Sequence, residues 1–330
     1  MKTTFWIAAI AFGAGLTLFS APVRQKRDPG RPEERERPVL WHNPGRVEAL
    51  DLAGGPGGRA GAPKPPFTFI EEDLGGSNPK IKVTDAAGTH WAVKFGEEVR
   101  AENIAARLAW AVGYFTEIDY YVASGRVSGS HDLKRAKSWI GADGHFADAR
   151  FQIRAKNPEF LKDLDWAWND NPFVGSRELN GLKIMVMLTS NWDNKDKRDR
   201  DGAGSNIFVF RDRQGQHSRL LYEVTDWGGS MGKWGTVLTR SKWDCKGFVE
   251  QTPNFVLGSK KGIVKWGYHG QHTDMAHDIH VGEVKWLLQY LGRLTDGQIR
   301  AGLKASGAAP LEVNCFAGAI RDRVNQLKAL

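Results

Sequence analysis

Two residue groups in the first third of this chain could hold a polyphosphate. A glycine-rich turn, Gly75-Gly76-Ser77, lies between two predicted strands, and Lys94 stands at the end of the strand that follows them. Glu102 comes early in the next predicted helix, and Glu98, one helical turn earlier, is an equally placed partner for the lysine. Backbone amides of such a turn can approach phosphate oxygens closely, and a lysine held by a carboxylate provides a fixed positive charge.

Three further polar residues follow far downstream. Asp193 belongs to an Asn-Trp-Asp sequence after a predicted buried helix, and Asn206 comes later in the same polar loop. Asp226 follows a predicted hairpin, in Thr-Asp-Trp-Gly. An aspartate near an attacking oxygen and an Asn/Asp pair on Mg²⁺ complete the set that phosphoryl transfer requires. That reaction depends mainly on placement and charge.

With these motifs the chain resembles the protein-kinase-like superfamily, in its atypical branch. It looks most like the HipA-type and phosphatidylinositol-kinase-like members, and like a group of uncharacterised bacterial proteins with an Asn-Trp-Asp signature. The resemblance runs from about Phe67 to the C-terminus, although its specific motifs cover only a few dozen residues. It implies a two-lobed fold with ATP and Mg²⁺ in the cleft between the lobes.

The resemblance also implies a role for each motif residue. Asp193 is similar to the catalytic aspartate, and Asn206 and Asp226 to the metal ligands. The residues implied to bind the nucleotide and its phosphates are Gly75, Gly76, Ser77, Lys94 and Glu102.

The chain departs from this pattern in spacing and in one aromatic residue. Such families place the asparagine about five residues after the catalytic aspartate. In this chain Asn206 comes thirteen residues after Asp193. Asp201, five before Asn206, is therefore the alternative catalytic aspartate. We prefer Asp193 because it directly follows the predicted buried helix. Trp227 stands where the family's Asp-Phe-Gly-like motif has phenylalanine.

Periodicity predicts the elements that must position these residues. Predicted strands are Phe67–Ile70, Lys80–Thr84, His90–Phe95, Glu117–Val122 and a hairpin of Ile207–Phe210 with Leu220–Val224. Predicted helices are Glu98–Val112, Arg177–Leu188, Val281–Leu291, Asp296–Ala305 and Leu311–Leu327. We therefore predict an α+β, protein-kinase-like fold with a small β-rich lobe at residues 67–124 and a larger, mainly helical lobe at 125–330.

The N-terminal part of the sequence predicts an export signal followed by a flexible segment. Residues 1–21 resemble a signal peptide, with an uncleaved membrane anchor as the alternative. Residues 22–66 are rich in proline, glycine and arginine, which predicts a mostly flexible linker, and its apolar island Pro38-Val39-Leu40-Trp41 could dock on the folded body. We expect the protein to be periplasmic or secreted and to meet membranes only through this N-terminal segment. Cys245 and Cys315 allow one disulfide or none, and ordinary thiols are the default expectation.

The composition of the chain limits the classes of partner that we expect. Of 330 residues, 41% are hydrophobic and 25% charged, which excludes a wholly disordered protein. The net charge of +8 favours anionic partners, and Lys260, Lys261 and Lys265 could attract an anionic acceptor of otherwise undetermined class. The chain lacks nucleic-acid-binding signatures, and its basic residues are scattered, so nucleic acid is not expected.

Two other functions compete with an ATP-dependent phosphotransferase. One is an exported pseudokinase that serves as a binding or scaffold protein, because the stretched loop before Asn206 could have lost catalytic geometry. The other is a metalloprotein, since four histidines lie within twelve residues together with two aspartates. The members of this histidine cluster are His269, His272, Asp274, His277, Asp278 and His280.

Overall fold

A computed structural model describes residues 36–153, 158–193, 206–214, 217–271 and 276–330. The expected signal segment and the first part of the expected linker lie outside these residues. Within the described chain, no helix has the length and hydropathy needed to cross a membrane.

The described chain is a mixed α+β protein. Its strands are β1 (Arg37–Val39), β2 (Phe67–Asp73), β3 (Lys80–Thr84), β4 (His90–Phe95), β5 (Ile118–Ser128), β6 (His145–Ile153), β7 (Glu159–Asp165), β8 (Ile207–Gln214), β9 (His217–Val224), β10 (Val256–Lys260) and β11 (Ile263–Trp266). Its α-helices are α1 (Val99–Ala111), α2 (Arg177–Leu188), α3 (Cys245–Gln251), α4 (Val281–Leu291), α5 (Asp296–Ala305) and α6 (Pro310–Lys328).

Five strands close into a barrel in the order β2-β3-β4-β6-β5. All of their pairings are antiparallel except β2 with β5. Alternate side chains such as Ile81, Val83 and Val93 point into the barrel and are fully buried, as the period of two in these strands predicts. The predicted strands at 80–84 and 90–95 are confirmed.

Helix α1 joins the barrel to a second, larger core. Ile104 and Leu108, at the predicted four-residue spacing, are fully buried within that larger core. The same core contains apolar faces of α2, α4, α5 and α6 together with side chains of β8 and β9. The predicted helices 177–188, 281–291 and 296–305 are confirmed with those bounds.

The expected boundary at residue 124 is wrong. Strand β5 runs through it, and β6 pairs with β5 from Ile118↔Ile153 to Arg126↔His145. The barrel therefore extends to residue 153, because β6 is the strand that closes it. The larger part also holds more strand than the one predicted hairpin: a sheet in the order β1-β9-β8-β7 and the β10-β11 pair.

The expectation of a flexible linker is wrong for most of residues 36–66, whereas docking of the island Pro38-Val39-Leu40-Trp41 is confirmed. Strand β1 pairs in parallel with β9, and Leu40, Val47 and Leu52 are buried in the larger core. The Trp41 ring packs 5.1 Å from the Trp286 ring. A few apolar residues spaced along a proline- and glycine-rich segment are enough to dock it, because each one fills a site on an already formed core.

Cys245 and Cys315 form a disulfide, so the default expectation of thiols is wrong. The bond links α3 to α6 across 70 residues of sequence. Sequence could not decide the pairing because the two helices meet only in the folded chain.

The docking of residues 36–66 can be tested with Leu52→Ala. Leu52 is 1% exposed, so the variant should lose about 2–4 kcal/mol of unfolding free energy. The matched control is Leu311→Ala, because Leu311 is 82% exposed and its truncation should change stability by less than about 0.5 kcal/mol. Urea unfolding measures both variants. If Leu52→Ala behaves like the control, the segment does not pack as described.

Candidate functional site

A cleft of about 510 Å³ gathers the predicted site residues. Seven of the eight predicted site residues line this cleft. The exception is Gly75, whose backbone N–H donates to Asp73 Oδ1 beside the cleft. The lining residues are Gly76, Ser77, Asn78, Lys80, Lys94, Glu102, Glu117, Arg150, Gln152, Asp193, Asn206, Thr225 and Asp226. The barrel thus contributes one wall, and the segments before β8 and after β9 contribute the other.

Lys94 is bound by both of the glutamates that the sequence left as alternatives. Its Nζ lies 2.6 Å from Glu98 Oε2 and 3.0 Å from Glu102 Oε2. Lys94 is the penultimate residue of β4, Glu98 immediately precedes α1, and Glu102 lies in the first turn of α1. Strand and helix therefore bring one ammonium and two carboxylates together, and the lysine is only 7% exposed.

Glu98 also binds polar side chains from two other parts of the chain. Asn78 Nδ2, next to the glycine-rich turn, donates to Glu98 Oε2 at 2.5 Å, and Lys242 Nζ pairs with Oε1. Burial would raise the pKa of Glu98, but Lys94 and Lys242 outweigh it and lower the pKa to about 2. Glu98 is therefore fully ionised at neutral pH.

Glu102 has a different electrostatic environment. Burial raises its pKa to about 7, against the opposing effects of Arg150 and Lys94. Burial would also lower the pKa of Lys94, but Glu102, Asp226 and Glu98 outweigh that effect and raise it. Lys94 is therefore charged, with Glu98 as its more strongly ionised counter-charge.

Arg150 is a site residue that sequence reasoning missed. It lies opposite Lys94 in the β4–β6 register, and its Nη1 is 2.5 Å from Glu102 Oε1. Its Nη2 also donates to Gln152 Oε1 at 2.5 Å. The alternation of apolar and polar residues in 145–153 was the available signal, and it would have predicted β6.

The Asn-Trp-Asp sequence forms the opposite wall just after α2. Asn191 is fully buried, and its Nδ2 donates to the Asp226 carbonyl at 3.1 Å, while its Oδ1 accepts the Asp193 N–H at 3.2 Å. Asn206 Nδ2 donates to the Asp193 carbonyl at 3.3 Å. One amide side chain thus holds the backbones of Asp193 and Asp226 together.

Gly229 permits this close approach. A Cβ at this position would lie 2.8 Å from both the N and Cβ of Asp193, closer than real contacts allow. The Trp192 N–H donates to the Gly229 carbonyl at 3.1 Å, which fixes the contact. Trp227, the departure from phenylalanine, is buried in the larger core and donates its Nε1–H to the Val224 carbonyl.

Burial raises the pKa of Asp193 to about 6, and the nearby negative charge of Asp226 adds to the effect. A carboxylate in such an environment is a stronger base than an exposed one, yet it is still mostly ionised at neutral pH. The alternative, Asp201, lies outside the described residues.

Three carboxylates could hold a divalent cation. Within the described chain, Glu98, Glu102 and Asp226 place oxygen atoms within 4.8 Å of one another. Carboxylate oxygens are the ligands that Mg²⁺ prefers, although in this trio Glu98 and Glu102 also bind the Lys94 ammonium through their Oε2 atoms. Asn206 lines the same cleft without belonging to that trio.

The histidine cluster does not form a comparable group within the described chain. His272 and Asp274 lie outside the described residues, while His277, Asp278 and His280 are exposed. The His280 backbone N–H donates to Glu283 Oε2 at 2.7 Å, at the start of α4.

Arg135 holds the glycine-rich turn from outside the cleft. Its Nη1 donates to the carbonyls of Leu74 and Gly76, both at 2.9 Å, and its Nη2 to that of Ser77. Glu72 in turn accepts the backbone N–H of Arg135 at 2.7 Å. Because Gly76 has a φ of +68°, the turn needs glycine there as well as this external support.

Comparisons with known proteins identify no relative of this chain. No protein-family model, curated protein or solved structure matches it. The interpretation of the site therefore depends on its own residues and geometry.

Arg135→Ala should loosen the glycine-rich turn without unfolding the protein. Loss of the guanidinium contacts with the carbonyls of residues 74–77 should raise amide hydrogen exchange at residues 74–78 by about tenfold, measured by mass spectrometry. Arg126→Ala is the control, because Arg126 is an exposed arginine whose guanidinium pairs with Asp143, away from the turn. Unchanged exchange in Arg135→Ala would show that the turn holds itself.

Asp193→Asn should stabilise the protein at neutral pH. The folded state holds the Asp193 proton more tightly than the unfolded state, so stability falls as pH rises from about 4 to 6. The asparagine variant lacks this cost and should be more stable above pH 6 by no more than about 3 kcal/mol, with the difference vanishing near pH 4. Denaturant unfolding across pH measures it.

The control for that variant is Asp143→Asn. The His145 backbone N–H lowers the pKa of Asp143, so its replacement should not stabilise the protein at any pH. A destabilised Asp193→Asn at pH 7 would contradict the raised pKa of Asp193.

Proposed function

We propose that this protein is an ATP- and Mg²⁺-dependent phosphotransferase with a two-lobed, kinase-like architecture, its small lobe being the barrel with α1. One observation carries the proposal: Lys94, Asp193, Asn206 and Asp226, far apart in sequence, line a single cleft. The acceptor is a hydroxyl-bearing molecule of undetermined class.

The charges of the cleft suit a metal-bound polyphosphate. Lys94 and Arg150 bring positive charge from the barrel, whereas Glu98, Glu102, Asp193 and Asp226 bring negative charge. A free polyphosphate would be repelled by these carboxylates, so a divalent cation between them and the phosphates is needed. Such an ion, held by Asp226 and Asn206, would neutralise charge on the phosphate oxygens.

The residues of the chain have separable roles in the proposed reaction. Asp193 accepts the proton of the acceptor hydroxyl as its oxygen bonds to the γ-phosphorus, and the bond from that phosphorus to the β-phosphate oxygen breaks to release ADP. Lys94, held by Glu98, orients the phosphates, and the turn at Gly76 and Ser77 covers them. A base with a pKa of about 6 is ready for this step at pH 7.

The scaffold function remains the alternative proposal. The open cleft argues against a scaffold function, because no described side chain of the protein fills it. The Cys245–Cys315 disulfide supports the proposal of export, because disulfides persist mainly in oxidising compartments.

Single-turnover loss of the γ-phosphate from Mg·ATP tests the proposal. Asp226→Ala, Asp193→Asn and Lys94→Met should each slow the reaction by about 10²–10⁴-fold, and the wild-type rate should rise with pH through about 6. Lys82→Met is the matched control for the lysine, because Lys82 is exposed and paired with Glu71. Equal rates for wild type and Asp226→Ala would remove the mechanism.

Two further measurements separate the alternatives. If Asp201→Asn rather than Asp193→Asn abolishes transfer, the catalytic aspartate is Asp201. Thermal unfolding with millimolar Mg·ATP distinguishes the scaffold, because a ligand that binds only the folded state raises the melting temperature. An unchanged melting temperature would favour a nucleotide-independent function.

A further inference from the structure

A tight turn beside the cleft carries two exposed aliphatic side chains. It comprises Thr236-Val237-Leu238-Thr239, and we call it the aliphatic turn. Leu238 is 94% exposed and Val237 78%. The central positions of such turns normally carry Gly, Pro, Asn or Asp, so two adjacent exposed aliphatic residues there need an explanation.

The aliphatic turn is rigidly built. The backbone N–H groups of Thr239 and Arg240 donate to the Thr236 carbonyl at 3.0 and 2.9 Å, and the Thr236 N–H donates to Thr239 Oγ1 at 2.9 Å. Both threonine hydroxyls are therefore engaged within the turn. The two aliphatic side chains are held outward by this backbone, and they do not result from a loose loop.

The base of the turn is equally well fixed. The Ser241 N–H donates to the Lys233 carbonyl at 3.0 Å. The Trp234 N–H donates to Gln251 Oε1 at 2.7 Å, and the Trp234 carbonyl accepts a hydrogen bond from Gln251 Nε2 at 2.7 Å. These bonds anchor the turn to α3. The result is a rigid convex tip, the opposite of a pocket.

Exposed basic residues lie close to the tip in sequence. From Met231 to Lys246 the chain carries four basic residues and one acidic residue, Asp244, and of the four Lys242 is half-buried and bound to Glu98. Arg240 directly follows the aliphatic turn and is exposed. Lys246 is also exposed and has an ion pair to Glu250 at 3.8 Å. An apolar tip within a basic rim matches an anionic membrane, whose headgroups attract the cations while its acyl region takes the aliphatic side chains.

We propose that the aliphatic turn inserts Val237 and Leu238 into an anionic lipid surface. This contact is separate from the N-terminal segment that the sequence identified, and it does not depend on the phosphotransferase proposal. A convex tip favours lipid over a protein partner, because a bilayer adapts to a protrusion whereas a protein would need a matching pocket.

The proposed contact would place the cleft at the membrane surface. Trp192 immediately precedes Asp193, and its ring lies 5.4 Å from the Trp234 ring at the base of the turn. The Arg240 guanidinium lies 5.0 Å from the centre of the same Trp192 ring. If the proposed phosphotransfer occurs, its acceptor would then be a group displayed at that surface.

A fluorophore on the turn tests the contact locally. In the full chain with Leu238→Cys, the new thiol is the one available for an environment-sensitive dye, because Cys245 and Cys315 are joined. Vesicles of phosphatidylcholine with phosphatidylserine should shift its emission to the blue and expose it to quenchers on lipid acyl chains. The control is the same dye at Leu311→Cys, which is 82% exposed and should not respond.

Binding measurements complete the test. A Val237→Ser and Leu238→Ser double variant should weaken partition into these vesicles at least about tenfold, and Arg240→Ser should weaken it about fivefold. The double variant should leave thermal stability unchanged because both side chains are exposed, and Arg240→Ser should lower stability by no more than about 1 kcal/mol because it loses one contact with the Trp192 ring. A dye at position 238 that does not respond to anionic vesicles, or responds no more than the dye at 311, would overturn the proposal. An equal response to vesicles of phosphatidylcholine alone would overturn the role of the basic rim.

Discussion

The buried ammonium of Lys94 is the interaction on which the rest of the site depends. A lysine taken out of water is unfavourable unless carboxylates surround it, and here Glu98 and Glu102 do so at 2.6 and 3.0 Å. Because one glutamate immediately precedes α1 and the other lies in its first turn, that turn must face the end of β4. Arg150 then holds Glu102 from the next strand of the barrel. The position of α1 against the barrel is thereby fixed by charge as well as by apolar packing.

Glu98 also connects the two walls of the cleft. It is bound by Lys94 from the barrel, by Asn78 beside the glycine-rich turn, and by Lys242 from the segment after Asp226. The opposite wall is held differently, by backbone hydrogen bonds that converge on Asn191. Ion pairs thus position Lys94 and Glu102, whereas hydrogen bonds of the Asn191 side chain position Asp193 and Asp226. Within the ion-paired wall the pKa values still differ widely, because Lys94 and Lys242 outweigh burial at Glu98 whereas burial outweighs Arg150 and Lys94 at Glu102.

The segment 36–66 shows how average composition can mislead. Its prolines and glycines are typical of a flexible linker, yet Leu40, Val47 and Leu52 lie in the larger core. Arg107 of α1, itself buried, donates to the Ala53 carbonyl at 2.8 Å and ties the segment to the helix below the barrel. The free energy of docking comes from these few contacts, and a composition averaged over the segment does not show them.

The sequence by itself predicted most of the elements and several of the residues that line the cleft. Strong periodicity located β3, β4, α2, α4 and α5 with correct bounds, because burial on one face leaves a regular pattern in the residues. Residue type and order also selected Lys94, Asp193, Asn206 and Asp226, which share one cleft.

Only the tertiary structure decided the relationships among those residues. That Lys94 binds both glutamates, that Arg150 lies opposite it across two strands, and that Cys245 reaches Cys315 all depend on elements far apart in sequence. The pKa of Asp193 likewise follows from burial and from the approach of Asp226. Distances between remote elements and the exclusion of water arise only when the chain folds, so no local pattern of residues records them.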